Sequence, residues 1–255
     1  MMVRSLVCNL YMLATKVGYM APSDLIRIQE TLRQFSEGAL LARELSKRFH
    51  DLAKLVTPPN YPQWEASGQR LAELGWIPPM GLTIRETVEL SDPANTDEDI
   101  ERYIVNFYLC DQHKQLRRLH DDLMRSKDLT QWHPLLAQCF EAFELNLHLV
   151  TIPSLLSVLE GAVAQKCHTL RTKNTRLIEP SKAKASQAKQ GTHYTMEALI
   201  WSSVATFIEK LYEPFDFRGN RPSLINRHWI LHGRDSTQWT IADSIRLFNA
   251  LPSIV

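Results

Sequence analysis

Apolar residues recur three and four positions apart along most of this chain, and this spacing constrains the fold more than any other feature. One example is the series Ile100, Tyr103, Ile104, Phe107 and Tyr108. The same spacing returns in the segments 25–35, 116–123, 134–150, 155–163, 196–211 and 241–251. It is the spacing of a helix with one apolar face. Only 9 of the 255 residues are glycine, which disfavours a turn-rich β fold. We therefore predict an all-α fold, built as a helical bundle.

An acidic segment at Asp92–Asp99, which contains a proline, divides the chain into two predicted regions. Residues 1–95 are predicted to be a mainly helical N-terminal region of unknown role, with helices at about 23–56 and about 62–74. Residues 82–90 alternate only in part, so a strand and a helix both stay open for them. Residues 96–255 are predicted to be the helical bundle.

Three local expectations follow for this second region. One helix is predicted over about 134–150, and Thr151 is expected to cap the next one. A final amphipathic helix is predicted to start near Thr240. Trp201 and Trp229 lie within apolar helical patterns and are predicted to be core residues, whereas Trp76 is expected in an exposed turn.

The charge of the whole chain is nearly balanced, with 29 Lys and Arg against 28 Asp and Glu. No global attraction to nucleic acid is therefore expected. Basic residues are concentrated in 166–192, where seven Lys or Arg stand against Glu179 alone. We predict that this basic insertion is a loop and that its part Ser181–Thr192, which has almost no large apolar residue, is mobile. It is either a solvated surface loop or a loop that contacts phosphate, in which case Arg171, Lys173 and Arg176 bind RNA. Arg221, outside this loop, is a fourth predicted RNA-binding residue.

The four cysteines lie far apart and form no CxxC pair. This spacing is not typical of a disulfide framework or of a Cys-rich zinc site. They are Cys8, Cys110, Cys139 and Cys167, and we interpret them as reduced thiols of a cytoplasmic protein. No run of apolar residues approaches the ~20 residues that span a bilayer, so no membrane partner is expected.

The most informative segment is 221–233, with the sequence RPSLINRHWILHG. A helix here would carry apolar residues around most of its circumference and is expected to be buried on nearly all sides. A buried arginine such as Arg227 needs a partner or a cleft. His228 and His232 are four residues apart and share one face. Gly233 indicates that the helix ends at His232.

Three interpretations of this segment compete. The first is structural, with the arginine and the histidines bonded to carbonyls and carboxylates of a core helix. The second is a metal site, because His-x-x-x-His presents two imidazoles on one face. A zincin motif would need glutamate after the first histidine, where this chain has Trp229, so we predict no metal. The third is acid–base catalysis on a phosphodiester.

The segment resembles the signature of the HEPN superfamily of helical-bundle proteins, in which an arginine precedes a histidine by four to six intervening residues. Arg227 and His232 fit with four, and the pair Arg221 and His228 fits with six and stays an open rival. The wider text NRHWILHGR at 226–234 and the upstream IPSLLSVLEG at 152–161 are similar to an uncharacterised bacterial group associated with HEPN-like domains. The first hundred residues are not covered by the resemblance, and the basic insertion is longer than in a minimal HEPN bundle.

The resemblance implies a metal-independent endoribonuclease without cofactor, acting as a homodimer in a toxin–antitoxin or phage-defence setting. On this interpretation His232 transfers protons, Arg227 holds phosphate, and Asn226 orients substrate or fixes the turn that bears the histidine. His228 is either a second proton-transfer group or a core residue. Glu160 is a supporting residue and a candidate partner of Arg227 or of a histidine.

RNA is the expected substrate, with an antitoxin or regulatory protein as a further candidate partner. The alternative is a non-catalytic helical module that binds a protein or a nucleotide, in which the Arg/His cluster is structural.

Overall fold

A computed structural model describes residues 61–170, 177–190, 196–214 and 216–255 of the chain. These residues form nine α-helices and no strand, which confirms the predicted all-α helical bundle. The helices are α1 (Tyr61–Glu73), α2 (Ile84–Leu90), α3 (Asp97–Arg125), α4 (His133–Glu144), α5 (His148–Lys166), α6 (Ile178–Lys189), α7 (Met196–Leu211), α8 (Arg227–Leu231) and α9 (Ile241–Ile254). The helix predicted at 23–56 lies outside the described residues.

All described residues belong to one compact unit, Pro59–Val255. Helix α1 packs on α2 and on α7, while α9 packs on α3, α5 and α7. Leu71, Trp76 and Ile77 are almost fully buried in the common core. Trp76 is only 1% exposed, so the expectation of an exposed turn at this residue is wrong.

Residues 82–90, which the sequence leaves between strand and helix, contain α2. Thr83 and Glu86 form a capping box at its start. The Glu86 backbone N–H donates to Thr83 Oγ1 at 3.2 Å, and the Thr83 N–H donates to the Glu86 carboxylate at 2.7 Å. These two bonds satisfy backbone donors that a helix start leaves unpaired.

The helix predicted over 134–150 is two helices. Helix α4 ends at Glu144, and Asn146 has a φ of +60°, a left-handed conformation that turns the chain. Helix α5 then begins at His148, so Thr151 is inside the first turn and is not its cap. The Thr151 hydroxyl is buried and lies 2.8 Å from the Ser244 hydroxyl of α9, so this threonine serves packing between α5 and α9.

Ile178–Lys189 of the basic insertion form helix α6, so the prediction of a loop is wrong for these residues. Ser181 and Ala185 are four residues apart, and both are buried. Their small side chains let α6 pack closely on α7. Polar residues occupy the other faces of α6. The composition of this segment alone therefore suggested a loop.

Helix α9 is the centre of the bundle. Every residue from Ala242 to Leu251 is buried, because α3, α5 and α7 all pack on this helix. The expected start at Thr240 is confirmed, and Thr240 forms a capping box with Asp243. The helix has the expected polar face, with Asp243, Arg246 and Asn249 three residues apart, but this face is buried as well as the apolar one.

Candidate functional site

Asn226 determines where the short helix α8 begins. Its Oδ1 accepts hydrogen bonds from the backbone N–H groups of His228 at 3.0 Å and Trp229 at 3.3 Å. Its Nδ2 donates to the Glu213 carbonyl at 2.8 Å. Asn226 is 1% exposed, so it fixes the turn that carries the histidines. The helix is shorter than predicted because this cap places its first residue at Arg227.

Arg227 forms an ion pair with Glu160 of α5. The sequence suggested either Arg227 or a histidine as the partner of Glu160. Arg227 Nε donates to Glu160 Oε2 at 3.1 Å, and Nη2 donates to Oε1 at 3.5 Å. The side chains are 25% and 38% exposed, so the pair is half-buried and reachable from solvent. Helix α8 packs on α5, which brings together residues 67 positions apart.

Tyr212 completes this arrangement and was missed by sequence reasoning. Its hydroxyl donates to Glu160 Oε2 at 3.3 Å, and the Arg227 guanidinium lies 5.9 Å from its ring centroid. Burial, and then the charge of Glu160, hold the pKa of Tyr212 above its ordinary value. Tyr212 directly follows the apolar stripe of α7, so its position in the sequence indicates only a core residue.

His228 and His232 lie side by side. Their ring centroids are 6.2 Å apart, and the rings are nearly parallel, at 5°. His232 is exposed and is the C-terminal cap of α8, and Gly233 follows with a φ of +64°, as its position predicts. Burial, together with the positive charges of Arg227 and His232, lowers the pKa of His228, so its neutral form is favoured.

An open pocket of about 390 Å³ lies against this cluster. The cluster residues that line it are Glu160, Tyr212, Arg227 and His228. Leu177, Ile178, Glu179 and Pro214 line the rest. His232 is not part of the lining and stacks on the His228 ring. We call the five residues Glu160, Tyr212, Arg227, His228 and His232 the arginine–histidine cluster.

Arg221 does not join this cluster. Its Nε and Nη2 donate to the Asp235 carboxylate at 2.7 and 3.3 Å, and Trp239 Nε1 donates to the same carboxylate at 2.8 Å. Burial alone would raise the pKa of Asp235, but these hydrogen bonds lower it. Arg221 and His228 therefore do not line the same pocket, because Arg221 is held by Asp235 while His228 lines the pocket.

Three of the four predicted RNA-binding residues, Arg171, Lys173 and Arg176, lie outside the described residues, and the fourth, Arg221, is held by Asp235. The lysines on α6 are each within ion-pair distance of a carboxylate. Lys182 contacts Glu209 at 2.7 Å, Lys184 contacts Glu197 at 3.7 Å, and Lys189 contacts Glu65. These pairings neutralise much of the positive charge that α6 would offer to a phosphate backbone.

Among the described residues, no group of three or more His, Cys, Asp or Glu side chains is arranged to hold a metal ion. Across the same residues, no helix is both long enough and apolar enough to cross a membrane. Cys110, Cys139 and Cys167 are free thiols.

Comparisons with protein-family models, with curated proteins and with solved structures found no match to this chain. The resemblance to the HEPN superfamily therefore stays a prediction that rests on the motif residues. The chemistry of the site is argued below from its own geometry.

Proposed function

We propose that this protein is a metal-independent endoribonuclease of HEPN type, which cleaves RNA at the arginine–histidine cluster. The observation that carries the proposal is that Arg227 and His228 line the same open pocket, with His232 stacked on His228. A guanidinium that binds phosphate and two imidazoles that transfer protons are the groups that phosphodiester cleavage by a 2′-hydroxyl requires.

The proposed reaction assigns different roles to the two histidines. Neutral His228 accepts the proton of a 2′-hydroxyl, and O2′ forms a bond to the adjacent phosphorus. The bond from phosphorus to O5′ breaks, and His232 donates a proton to O5′. The products are a 2′,3′-cyclic phosphate and a 5′-hydroxyl. The lowered pKa of His228 supports its role as the base. A reaction that starts from the 2′-hydroxyl is limited to RNA.

Arg227 stabilises the charge that develops on the phosphorane oxygens. Its Nε and Nη2 are held by Glu160, while Nη1 has no hydrogen-bond partner among the described residues. One edge of the guanidinium is thus fixed, and no residue that the structure describes occupies the other edge, which suits a phosphate oxygen. Glu160 and Tyr212 act as positioning residues for Arg227.

The ion pair also supports the alternative, a non-catalytic module that binds a protein or a nucleotide. Glu160 already satisfies two of the Arg227 donors within the chain. In that case Arg227 is a structural residue, and the pocket binds a ligand without transforming it.

Cleavage of single-stranded RNA in the presence of EDTA tests the proposal. We expect the wild-type protein to cleave, and Arg227→Ala, His228→Ala and His232→Ala each to lose about 100-fold or more in rate. Arg85→Ala is the control, because Arg85 forms an exposed ion pair with Glu89 at the surface. If wild type and the three variants leave RNA equally intact, the nuclease proposal fails and the binding module stands.

The same proposal includes a homodimer in the cytoplasm, with a role as a toxin or antiviral effector and an antitoxin or regulatory protein as partner. A twofold dimer would bring a second arginine–histidine cluster into the assembly. Sedimentation tests this part directly, since a dimer has twice the chain mass of 29.4 kDa. A single species at the mass of one chain would contradict it.

A further inference from the structure

A second pocket, of about 470 Å³, adjoins the first one. Both pockets are lined by Glu160, Leu177 and Arg227. Each volume falls within the range of about 300–1,000 Å³ that small-molecule sites occupy. Because the same ion pair lines both pockets, the two form one groove with the Arg227 guanidinium between its halves.

The two halves of the groove differ in character. The first is lined by Tyr212 and His228, as described above. The second has hydroxyl groups at Ser157 and Thr169 and apolar side chains at Leu170 and Leu231. Leu170 is 51% exposed and Leu231 is 38% exposed. Both hydroxyls donate to backbone carbonyls of their own chain segment, those of Pro153 and Ala164, so towards a ligand they act as acceptors. Apolar surface beside such acceptors suits the face of a flat ring and the N–H groups at its edge.

We propose that this groove binds single-stranded RNA within one subunit, with one nucleoside in each pocket and the scissile phosphate at Arg227. The inference rests on the proposed function and specifies its substrate as a dinucleotide unit of an unpaired strand. Paired bases in a duplex face each other and cannot enter two separate pockets, whereas unpaired bases can be splayed apart.

The charge of the groove selects among phosphate ligands. Among the described residues that line the groove, the guanidinium of Arg227 lies near the carboxylates of Glu160 and Glu179, and neutral His228 adds no charge. The charge of these residues is about −1, so a phosphodiester with its single charge meets less repulsion than a ligand with several phosphate charges. A nucleoside triphosphate would place several uncompensated charges beside the two carboxylates.

The experiment measures binding of a dinucleoside monophosphate whose 5′ sugar lacks the 2′-hydroxyl, so that the 2′-hydroxyl reaction cannot occur. The comparison ligands are the matching 3′-phosphate and 5′-phosphate mononucleotides. We expect the dinucleotide to bind about tenfold or more tightly than either mononucleotide, because it fills both pockets. A mononucleotide that binds as tightly as the dinucleotide would overturn the proposal.

Two variants block one pocket each. Ser157 lines only the second of these pockets and Pro214 only the first, and both residues are exposed, so a tryptophan there is compatible with folding. We expect Ser157→Trp and Pro214→Trp each to weaken dinucleotide binding about tenfold or more. Each should spare a different mononucleotide, whereas Arg85→Trp should change nothing.

Unchanged dinucleotide affinity in both blocking variants, with the fold checked by thermal unfolding, would also overturn the proposal. Because the deoxy ligand lacks the nucleophile, this result does not depend on cleavage. Loss of cleavage with intact two-pocket binding would refute the nuclease and keep the groove, and cleavage without two-pocket binding would refute the groove alone.

Discussion

His228 lies half-buried between the Tyr212 ring and the His232 ring. Its pKa is lowered from the ordinary value of 6.5, first by burial and then by Arg227 and His232. His228 therefore binds a proton less readily in the folded protein than in the unfolded chain. The contribution of neutral His228 to stability is fully present above pH 6.5 and is lost as the pH falls towards its folded pKa.

We expect the melting temperature of the wild type to fall more steeply between about pH 7 and pH 5 than that of His228→Asn, which cannot titrate there. Thermal unfolding followed by circular dichroism at a series of pH values measures this difference. Parallel curves for the two proteins would show that burial of His228 has no effect on its protonation.

Gly161 follows Glu160 directly and provides room for an aromatic side chain. A Cβ at Gly161 would overlap the Trp132 ring, where Cε2 is 2.9 Å from the added atom. We expect Gly161→Ala to lower the free energy of unfolding by about 1–3 kcal/mol. In a Trp132→Ala background the crowding is gone, so the same change should be neutral or stabilise by about 0.5–1 kcal/mol through helix propensity.

Chemical denaturation of the four proteins in this cycle measures the coupling between the two positions. Equal costs of Gly161→Ala in both backgrounds would mean that Trp132 does not occupy this space.

At the level of elements, the start of α8 depends on the side chain of Asn226. Asn226→Ala removes the cap of α8 and leaves the Glu213 carbonyl without its donor. We expect a loss of about 2–4 kcal/mol, as the sum of a lost cap and an unsatisfied polar group. Asn226→Asp keeps the acceptor but not the donor, and it should lose less. Urea denaturation separates these variants, and equal stability of Asn226→Ala and wild type would contradict the capping role.

Two helix starts in this chain have a local sequence signal. The starts near Thr96 and Thr240 depend on capping boxes with Asp99 and Asp243. Each capping box lies within four consecutive residues, so the sequence alone indicates it. The end of α4 depends on the left-handed turn at Asn146, and the whole of α6 depends on burial against α7. Burial against α7 has no local sequence signal, and one asparagine after the helix is a weaker signal than the glycine more common there.

The candidate site was predictable only in part, for a similar reason. Arg227, His228 and His232 stand out because ionisable residues are unexpected on an apolar helix. The ion pair with Glu160 joins residues far apart in sequence, so it remained one option among several. Tyr212 resembles any core aromatic residue. The partner of Arg221, Asp235, has no distinguishing pattern around it.

At the scale of the whole molecule, Arg246 links the central helix to two other parts of the bundle. It donates to Asp243 of α9 at 2.5 Å and pairs with Glu101 of α3, while its guanidinium lies 4.7 Å from the Trp76 ring centroid. Arg246 is 7% exposed. Removal of one partner from such a buried pair leaves an uncompensated charge.

We expect Arg246→Met to lower the free energy of unfolding by about 3–5 kcal/mol. The double variant with Asp243→Asn should cost less than the single variant, because the stranded carboxylate is gone. Arg85→Ala, which breaks an exposed pair, should cost less than about 1 kcal/mol. Denaturant titration measures all three proteins, and a double variant less stable than Arg246→Met would contradict the assignment of Asp243 as the uncompensated charge.

Because α9 is both central in the bundle and synthesised after the helices that pack on it, its synthesis determines when the bundle can form. Helices α3, α5 and α7 all leave the ribosome before residues 241–254, and their apolar faces have no central partner until that helix arrives. A nascent chain in this state exposes surfaces that attract chaperones and other unfinished chains. Consolidation of the bundle is therefore a late event that follows translation of α9, and the yield of native protein depends on how well the earlier helices are shielded until then.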